Sequence, residues 1–329
     1  MRVAGFDIGT NSVRVLIADA DGTGRIKPGV RIGFATRLGE GLAHTGKVSD
    51  EALERTARVL GKSARLARAL NTSSMKAGAT HVLRVAANAQ QVLESLEKVA
   101  MLPIKTLSQE EEAYYAYIGV FSAEEDVQEE WARLRNGPGV GPSESCSRTE
   151  RSGVRRLLMD VGGGSVTLTQ GEGFDITGST TLPVGCVTLT EKFLRHDPPT
   201  EQEMTTLREH ISAELGFVSL CVAPGDSVMV IGGAATCMAA VSLELPFFDS
   251  RRVDGHILGL EEMERSAAAL SRMTVSERER VGCLGRRRAE IAVAGAVLLA
   301  LLTKHLGLHA VVVSIRGLRY GLALEAATS

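Results

Sequence analysis

The chain has 329 residues, with 37 Lys and Arg set against 39 Asp and Glu, for a formal net charge of −2. That balance excludes a general nucleic-acid binder, and a composition 44% apolar and 23% charged excludes a disordered chain. At roughly 100 to 200 residues per domain, the length predicts two domains, each able to bury its own core. Cys146, Cys186, Cys221, Cys237 and Cys283 form no C-x-x-C pair, which argues against a zinc or redox motif and for a reducing cytoplasm. No cleavable apolar leader is visible, so a cytoplasmic location is expected.

In chain order, Arg2 to Phe6 and Val13 to Ala18 read as strands joined by the small polar turn Asp7 to Ser12. A third strand is expected near Gly29 to Thr36. A helix follows from Asp50 to Leu70, with Leu53, Ala57, Leu60 and Ala64 at helical spacing. Short strands at Ala77 to Thr80 and Ile104 to Thr106 flank a helix at Ala89 to Val99. Ser108 to Glu111 has the form of a capping box, so a helix begins there, with Glu110 to Glu112 at its positive end. Residues 122–153 turn acidic and then rich in Gly, Pro, Ser and Arg, the mark of an exposed insertion or a mobile hinge region. Beyond them the pattern restarts with a strand Leu157 to Val161, a turn Gly162 to Ser165 and a strand Val166 to Thr169. A strand Val228 to Ile231 runs into Gly232-Gly233 and a helix from Ala235. The last elements are a helix Ala289 to Leu306, a strand Ala310 to Val313 and a helix Gly317 to Ala326. The apolar run from Ile291 to Leu302 is far short of the roughly 20 residues that span a bilayer, so it is read as a buried core helix.

One internal repeat organises these elements. Asp7-Ile-Gly-Thr-Asn-Ser-Val13 and Asp160-Val-Gly-Gly-Gly-Ser-Val166 share Asp, Gly, Ser and Val at equal offsets, each between two strands, which predicts two similar domains. In each, an Asp ends a strand and small residues follow, whose N–H groups can close on an anion. A phosphate beside that Asp needs a neutralising cation, and hydrated Mg²⁺ is the usual one. Either turn alone could be a plain hairpin. Its duplication, with Val230-Ile-Gly-Gly-Ala-Ala235, resembles the two phosphate loops and later glycine pair of the actin, sugar-kinase and Hsp70 superfamily. That resemblance implies an α/β fold of two ribonuclease H-like (actin-like ATPase) domains with a central cleft. The boundaries expected are 1–120 plus about 314–329 for the first domain and 121–313 for the second.

The segments Thr36 to Leu42, Ala79 to Arg84 with Asn88, Leu107 to Ala113, Asp160 to Ser165 and Ser314 to Arg319 resemble the exopolyphosphatase and guanosine pentaphosphate phosphatase family in its short two-domain form. The resemblance implies hydrolysis of a phosphoanhydride, releasing terminal phosphate from inorganic polyphosphate or converting pppGpp to ppGpp. It places the catalytic carboxylate at Glu112, which would orient and deprotonate water, and the metal at Asp7 and Asp160, with Mg²⁺ or Mn²⁺ as cofactor. Phosphate would be bound by Thr10, Asn11, Ser12, Arg84, Gly162, Gly163, Gly164, Ser165, Gly232, Gly233 and Arg288. Arg286-Arg287-Arg288 would steer a polyanion. Arg316 and Arg319 are candidates for interdomain packing or substrate contact. The partners implied are polyphosphate or guanosine penta- and tetraphosphate, with neither nucleic acid nor membrane, and a homodimer.

Two positions depart from the family pattern. Thr167 stands where a glutamate is usual, which predicts weaker metal binding or slower turnover, and Tyr114 stands where an arginine follows Glu-Ala. Loss of one transition-state contact commonly costs about 10²- to 10³-fold in rate. These departures keep a second reading open, a (p)ppGpp- or polyphosphate-binding regulatory paralogue; a small-molecule kinase is a third. His81, His256 and His305 lack metal-ligand spacing and are read as packed or exposed side chains, and Cys186 as a small packing residue.

Overall fold

The computed structural model describes residues 1–22, 25–122, 155–220, 222–223 and 225–328. Apart from Ser122, the segment 122–153 read as an insertion lies outside the described residues, as do Cys146 and Cys221. The chain divides into two compact units, Met1–Ala123 with Arg316–Ser329, and Glu124–Ile315.

In the first unit, β1 (Arg2–Ile8), β2 (Ser12–Ala20) and β3 (Ile26–Ala35) form an antiparallel meander. After α1 (Leu42–Thr45) and α2 (Asp50–Ala69), β4 (Ser74–Ala79) pairs parallel to β1. α3 (His81–Val85) and α4 (Ala89–Ala100) lead to β5 (Lys105–Thr106), parallel to β4, and α5 (Gln109–Phe121) follows. The strand order is β3-β2-β1-β4-β5.

Alternation along β1 decides what each face buries. Ala4, Phe6 and Ile8 pack with Leu60, Ala64 and Ala67 of α2 and with Val92 and Leu96 of α4. Val3 faces the other way, onto Tyr320, Ala323 and Ala326 of the C-terminal helix, together with Leu16, Ala18 and Ala20. Gly5 shares that second face, and a Cβ there would stand 2.1 Å from the Arg319 carbonyl oxygen. The missing side chain is what lets the helix backbone lie against the strand, and it brings that helix beside Asp7, the next residue on the face.

The second unit repeats the plan. Antiparallel β6 (Arg155–Val161), β7 (Val166–Glu172) and β8 (Asp175–Leu182) precede α6 (Cys186–Phe193) and α7 (Glu201–Leu215). β9 (Ser227–Ile231) is parallel to β6 and runs into α8 (Gly233–Ser242). Then come α9 (Ser250–Val253), β10 (Ile257–Gly259), α10 (Leu260–Ser271), α11 (Val275–Glu279), α12 (Gly285–Ala289), α13 (Ala292–His305) and β11 (Ala310–Val313). The order is β10-β11-β9-β6-β7-β8. Without the added edge strand β10, both sheets have one topology, as the repeat predicts. α14 (Leu318–Thr328) returns to the first unit.

The apolar run read as a core helix is α13, where Val293, Leu298, Leu299 and Leu302 are fully buried. Among the described residues no helix is long and apolar enough to cross a membrane. The helix expected from Ala289 to Leu306 is instead split, with α12 ending at Ala289 and α13 starting at Ala292. Unpredicted elements include α3, too short for a helical period to show. β8 was also missed, because Asp-Ile-Thr-Gly-Ser-Thr-Thr-Leu carries little apolar alternation and owes its form to pairing with β7. α7 was missed although Thr200 and Glu203 form a capping box at its start.

Candidate active site

Both turns of the repeat have the same closure. Gly9 N–H donates to the Ser12 carbonyl at 3.0 Å, and Gly162 N–H to the Ser165 carbonyl at 2.9 Å. The strands they join are in the same register, with Asp7 opposite Arg14 and Asp160 opposite Thr167. In each turn the carbonyls are taken up from behind. The Thr36 and Arg37 amides donate to the Asn11 carbonyl and the Gly39 amide to that of Thr10. The Cys186 amide donates to Gly162, and those of Val187 and Thr188 to Gly163. Among the described residues the amides of Thr10, Asn11, Gly163 and Gly164 donate no backbone hydrogen bond, so each turn presents N–H groups able to take anionic oxygen.

Around the first turn the structure brings together Asp7, Glu112 and Arg84. Ser108 caps α5 through the Glu111 amide, and Glu111 answers at the Ser108 amide, completing the expected capping box. The three glutamates then part company. Glu110 accepts from the Ser108 hydroxyl and Glu111 pairs with Lys105, both at the surface. Glu112 points inward, where its Oε2 lies 2.6 Å from Nη1 of Arg84. Less than a fifth of either side chain is exposed, 19% for Glu112 and 17% for Arg84. The same Nη1 donates to the Leu107 carbonyl at 2.9 Å, which ties α3 to the entry of α5. No hydrogen bond among the described residues uses the other guanidinium nitrogens of Arg84.

Burial raises the pKa of the Glu112 carboxyl, against the pull of Arg84. Asp7 is raised to about 6, chiefly by burial; Arg14 draws it down, Glu112 pushes it up and Arg319 again draws it down. No described side chain donates a hydrogen bond to it. Arg319 is itself lowered to about 10, by burial first and then by Arg14 and Arg31. Arg316 and Arg319 both stand over the Tyr320 ring, at 5.4 and 5.6 Å, and Arg31 Nε donates to the Tyr320 hydroxyl at 2.8 Å. Arg14 was not singled out from the sequence. Its signal was the turn itself, since a hairpin of this length sets residue 14 directly across from residue 7.

In the second unit Gly162 to Ser165 lie together with Gly232, at the ends of neighbouring strands. Gly232 has φ +108°, and a Cβ on it would stand 2.2 Å from the Val161 carbonyl oxygen. Gly233 opens α8 beside it. Gly185, unmarked in the sequence, backs the turn so closely that a Cβ would stand 2.3 Å from the Gly163 oxygen. Cys186 is a buried packing residue, as expected, and its thiol donates to the Gly162 carbonyl at 3.3 Å. Thr167, opposite Asp160, shares a hydrogen bond with Thr181 at 3.1 Å between hydroxyl oxygens. Arg288 stacks over the Phe248 ring at 4.8 Å, on α12, with Arg286 and Arg287 exposed beside it. Tyr114 is 47% exposed and meets Tyr115 edge to face. Among the described residues no three His, Cys, Asp or Glu side chains gather as a metal cage.

The Ppx/GppA phosphatase family model matches residues 16–129 and 145–329. Exopolyphosphatase 1 of Mycobacterium tuberculosis is 26% identical over 328 residues, 99% of this chain and 88% of that protein. Exopolyphosphatase 2 of the same organism is 28% identical over 340 residues, 99% and 98% of the two chains. Among solved structures, the Aquifex aeolicus member of the Ppx/GppA family superposes with a TM-score of 0.76 at 28% identity, over 99% of this chain and 97% of its own. A crystal structure of an exopolyphosphatase-like protein gives 0.82 at 25% identity, over 98% and 97%. These likenesses run through both units and identify the repeated sheet as the actin-like fold. Sequence, fold and coverage agree that the chain belongs to the Ppx/GppA phosphatase family.

Proposed function

We propose that this protein hydrolyses phosphoanhydride bonds, releasing terminal phosphate from inorganic polyphosphate. The observation that carries this reading is the inward-facing Glu112, paired with Arg84 and electrostatically coupled to Asp7. Phosphoryl transfer needs an in-line nucleophile and charge stabilisation more than a strong base, and a carboxylate suffices for the first. In the resting protein Arg84 holds Glu112. A phosphoryl group bound to the remaining nitrogens of Arg84 competes for that guanidinium and frees Glu112 to accept a proton from water. The amides of Thr10 and Asn11 offer charge stabilisation to anionic oxygens, and those of Gly163 and Gly164 offer the same in the second unit.

The residues at the first turn fit a divalent cation. Asp7 is a carboxylate in a site that disfavours its charge, with no hydrogen bond from the described residues to compensate it, and burial raises Glu112 as well despite its bond to Arg84. A cation held by one or two carboxylates, its remaining sites filled by water and substrate oxygens, is the usual way of binding Mg²⁺, and needs no side-chain cage. Asp7 would hold it at the first turn, and Asp160 is the corresponding carboxylate at the second. When bound, it would supply neutralisation of phosphoryl oxygens.

The test is phosphate release from polyphosphate with and without Mg²⁺, and from pppGpp alongside. Glu112→Gln is expected to lower kcat by about 10²- to 10⁴-fold with the fold intact. Absence of any Mg²⁺-dependent release by the unaltered protein would overturn the reading. One observation favours a second reading, a binding module without turnover: the position opposite Asp160 holds the neutral Thr167–Thr181 pair. Tight binding of either anion without hydrolysis would establish it.

A further inference from the structure

His81, set aside in the sequence as a packed or exposed side chain, opens α3 at the edge of this site. It follows Thr80, whose N–H donates to the Ile8 carbonyl at 3.1 Å and whose hydroxyl lies 3.9 Å from where a Gly9 Cβ would stand, against the first turn. Three residues on, and so on the same helical face, is Arg84. The imidazole is half-buried, and no hydrogen bond among the described residues reaches it. Charged groups on the surrounding elements are Arg84 on α3, Glu112 on α5, Asp7 at the end of β1, and Arg37 and Glu40 after β3. The last two are engaged with each other and Glu40 also with Arg55. Of these, Arg84 is the one that acts on the ring, and with burial it holds the imidazole below its usual range.

The half-buried ring has no hydrogen-bond partner among the described residues, and it shares a helical face with a guanidinium that repels its charged form. An oxyanion bound to Arg84 answers both conditions, because it accepts an N–H from the ring and cancels the repulsion. We propose that His81 is a second substrate contact, donating a hydrogen bond to a phosphoryl oxygen of the anion held by Arg84 and taking up a proton from solvent as that anion binds. The inference rests on polyphosphate being the substrate. The sign follows from linkage. The ring is neutral in the free protein near pH 7 and its charged form is favoured in the complex, so affinity is highest in acid and falls as pH rises through the pKa of the complex.

The experiment uses the full chain. Inorganic tripolyphosphate binding is followed by calorimetry without divalent cation, in two buffers of different ionisation enthalpy, and KM for polyphosphate is measured with Mg²⁺ from pH 6 to 8.5. Tripolyphosphate titrates in this range too, so proton uptake is read as the difference between the unaltered protein and His81→Asn. His81→Asn is expected to lose that uptake, to weaken KM by about tenfold at pH 6 and to flatten its pH dependence. His81→Lys, with a permanent charge, is expected to restore a low KM that does not rise by pH 8. A His81→Asn protein with unchanged proton uptake and an unchanged KM profile, in a protein that does hydrolyse polyphosphate, overturns the inference alone. Failure of the unaltered protein both to bind tripolyphosphate and to release phosphate overturns the substrate reading with it.

Discussion

The two turns share a closure, a strand register and a leading aspartate, yet they handle charge in different ways. The first is set among ionised groups, with Arg14 opposite Asp7, Arg319 on the covering helix and the Glu112–Arg84 pair close by. The second is built from three glycines backed by Gly185, and its ladder position is neutral, with Thr167 hydrogen-bonded to Thr181. Duplication preserved the backbone geometry, because the turn's own hydrogen bond and the ladder enforce it. Side chains around it were free to diverge. The family likeness of the whole chain therefore says less about each turn's chemistry than the residues that surround it.

This contrast can be broken most forcefully at Glu112, where the loss of turnover expected for Glu112→Gln is confined to the first unit's chemistry and should leave thermal stability nearly unchanged. Next comes steric support. Gly185→Ala drives a Cβ into the backbone of the second turn and should cost about 2 to 3 kcal/mol in urea unfolding. Gly39→Ala, behind the first turn, meets the Thr10 methyl group at 2.5 Å, a side-chain end that can rotate away, and should cost about 1 kcal/mol. Equal costs would show that the two turns are buttressed alike.

Charge gives a third comparison. With its pKa raised to about 6, Asp7 holds its proton more tightly folded than unfolded, so its charge destabilises the fold. Below about pH 4 both states are protonated and Asp7→Asn should match the unaltered protein in stability. As pH rises from 4 to 6 the unaltered protein loses ground, and at pH 7 in the absence of metal the variant should be more stable by about 1 to 3 kcal/mol. Urea unfolding at the two pH values measures this, and a variant that is less stable at pH 7 would show that the site compensates the charge. The smallest effect belongs to the second unit. Thr181→Val leaves the Thr167 hydroxyl without its partner and should cost about 1 kcal/mol in thermal unfolding.

Much of the frame was legible before any coordinates. A duplicated Asp-x-Gly-x-x-Ser-Val between strand-like runs announced the repeat, and Ser108 with Glu111 announced the start of α5, because both signals are local. Glu110, Glu111 and Glu112 could not be told apart from composition. Their roles separate only once the helix turns one of them toward Arg84, which comes from a different element. Arg319 illustrates the same limit. It is far from Asp7 in the chain, and its influence there depends on Gly5 admitting the backbone of α14. His81 was discounted for lacking metal-ligand spacing, whereas its relevance is its nearness to Arg84 and to the first turn.

The linear chain by itself determined the strand–turn–strand modules, the helix start at Ser108, the core helix around Leu298 and the family, since each is written in short-range patterns or in similarity along the whole length. Tertiary structure alone decided which glutamate faces inward, which arginines surround Asp7 and which glycine backs the second turn. Electrostatic coupling and close packing depend on distances in space between residues far apart in sequence, and no local spacing encodes them.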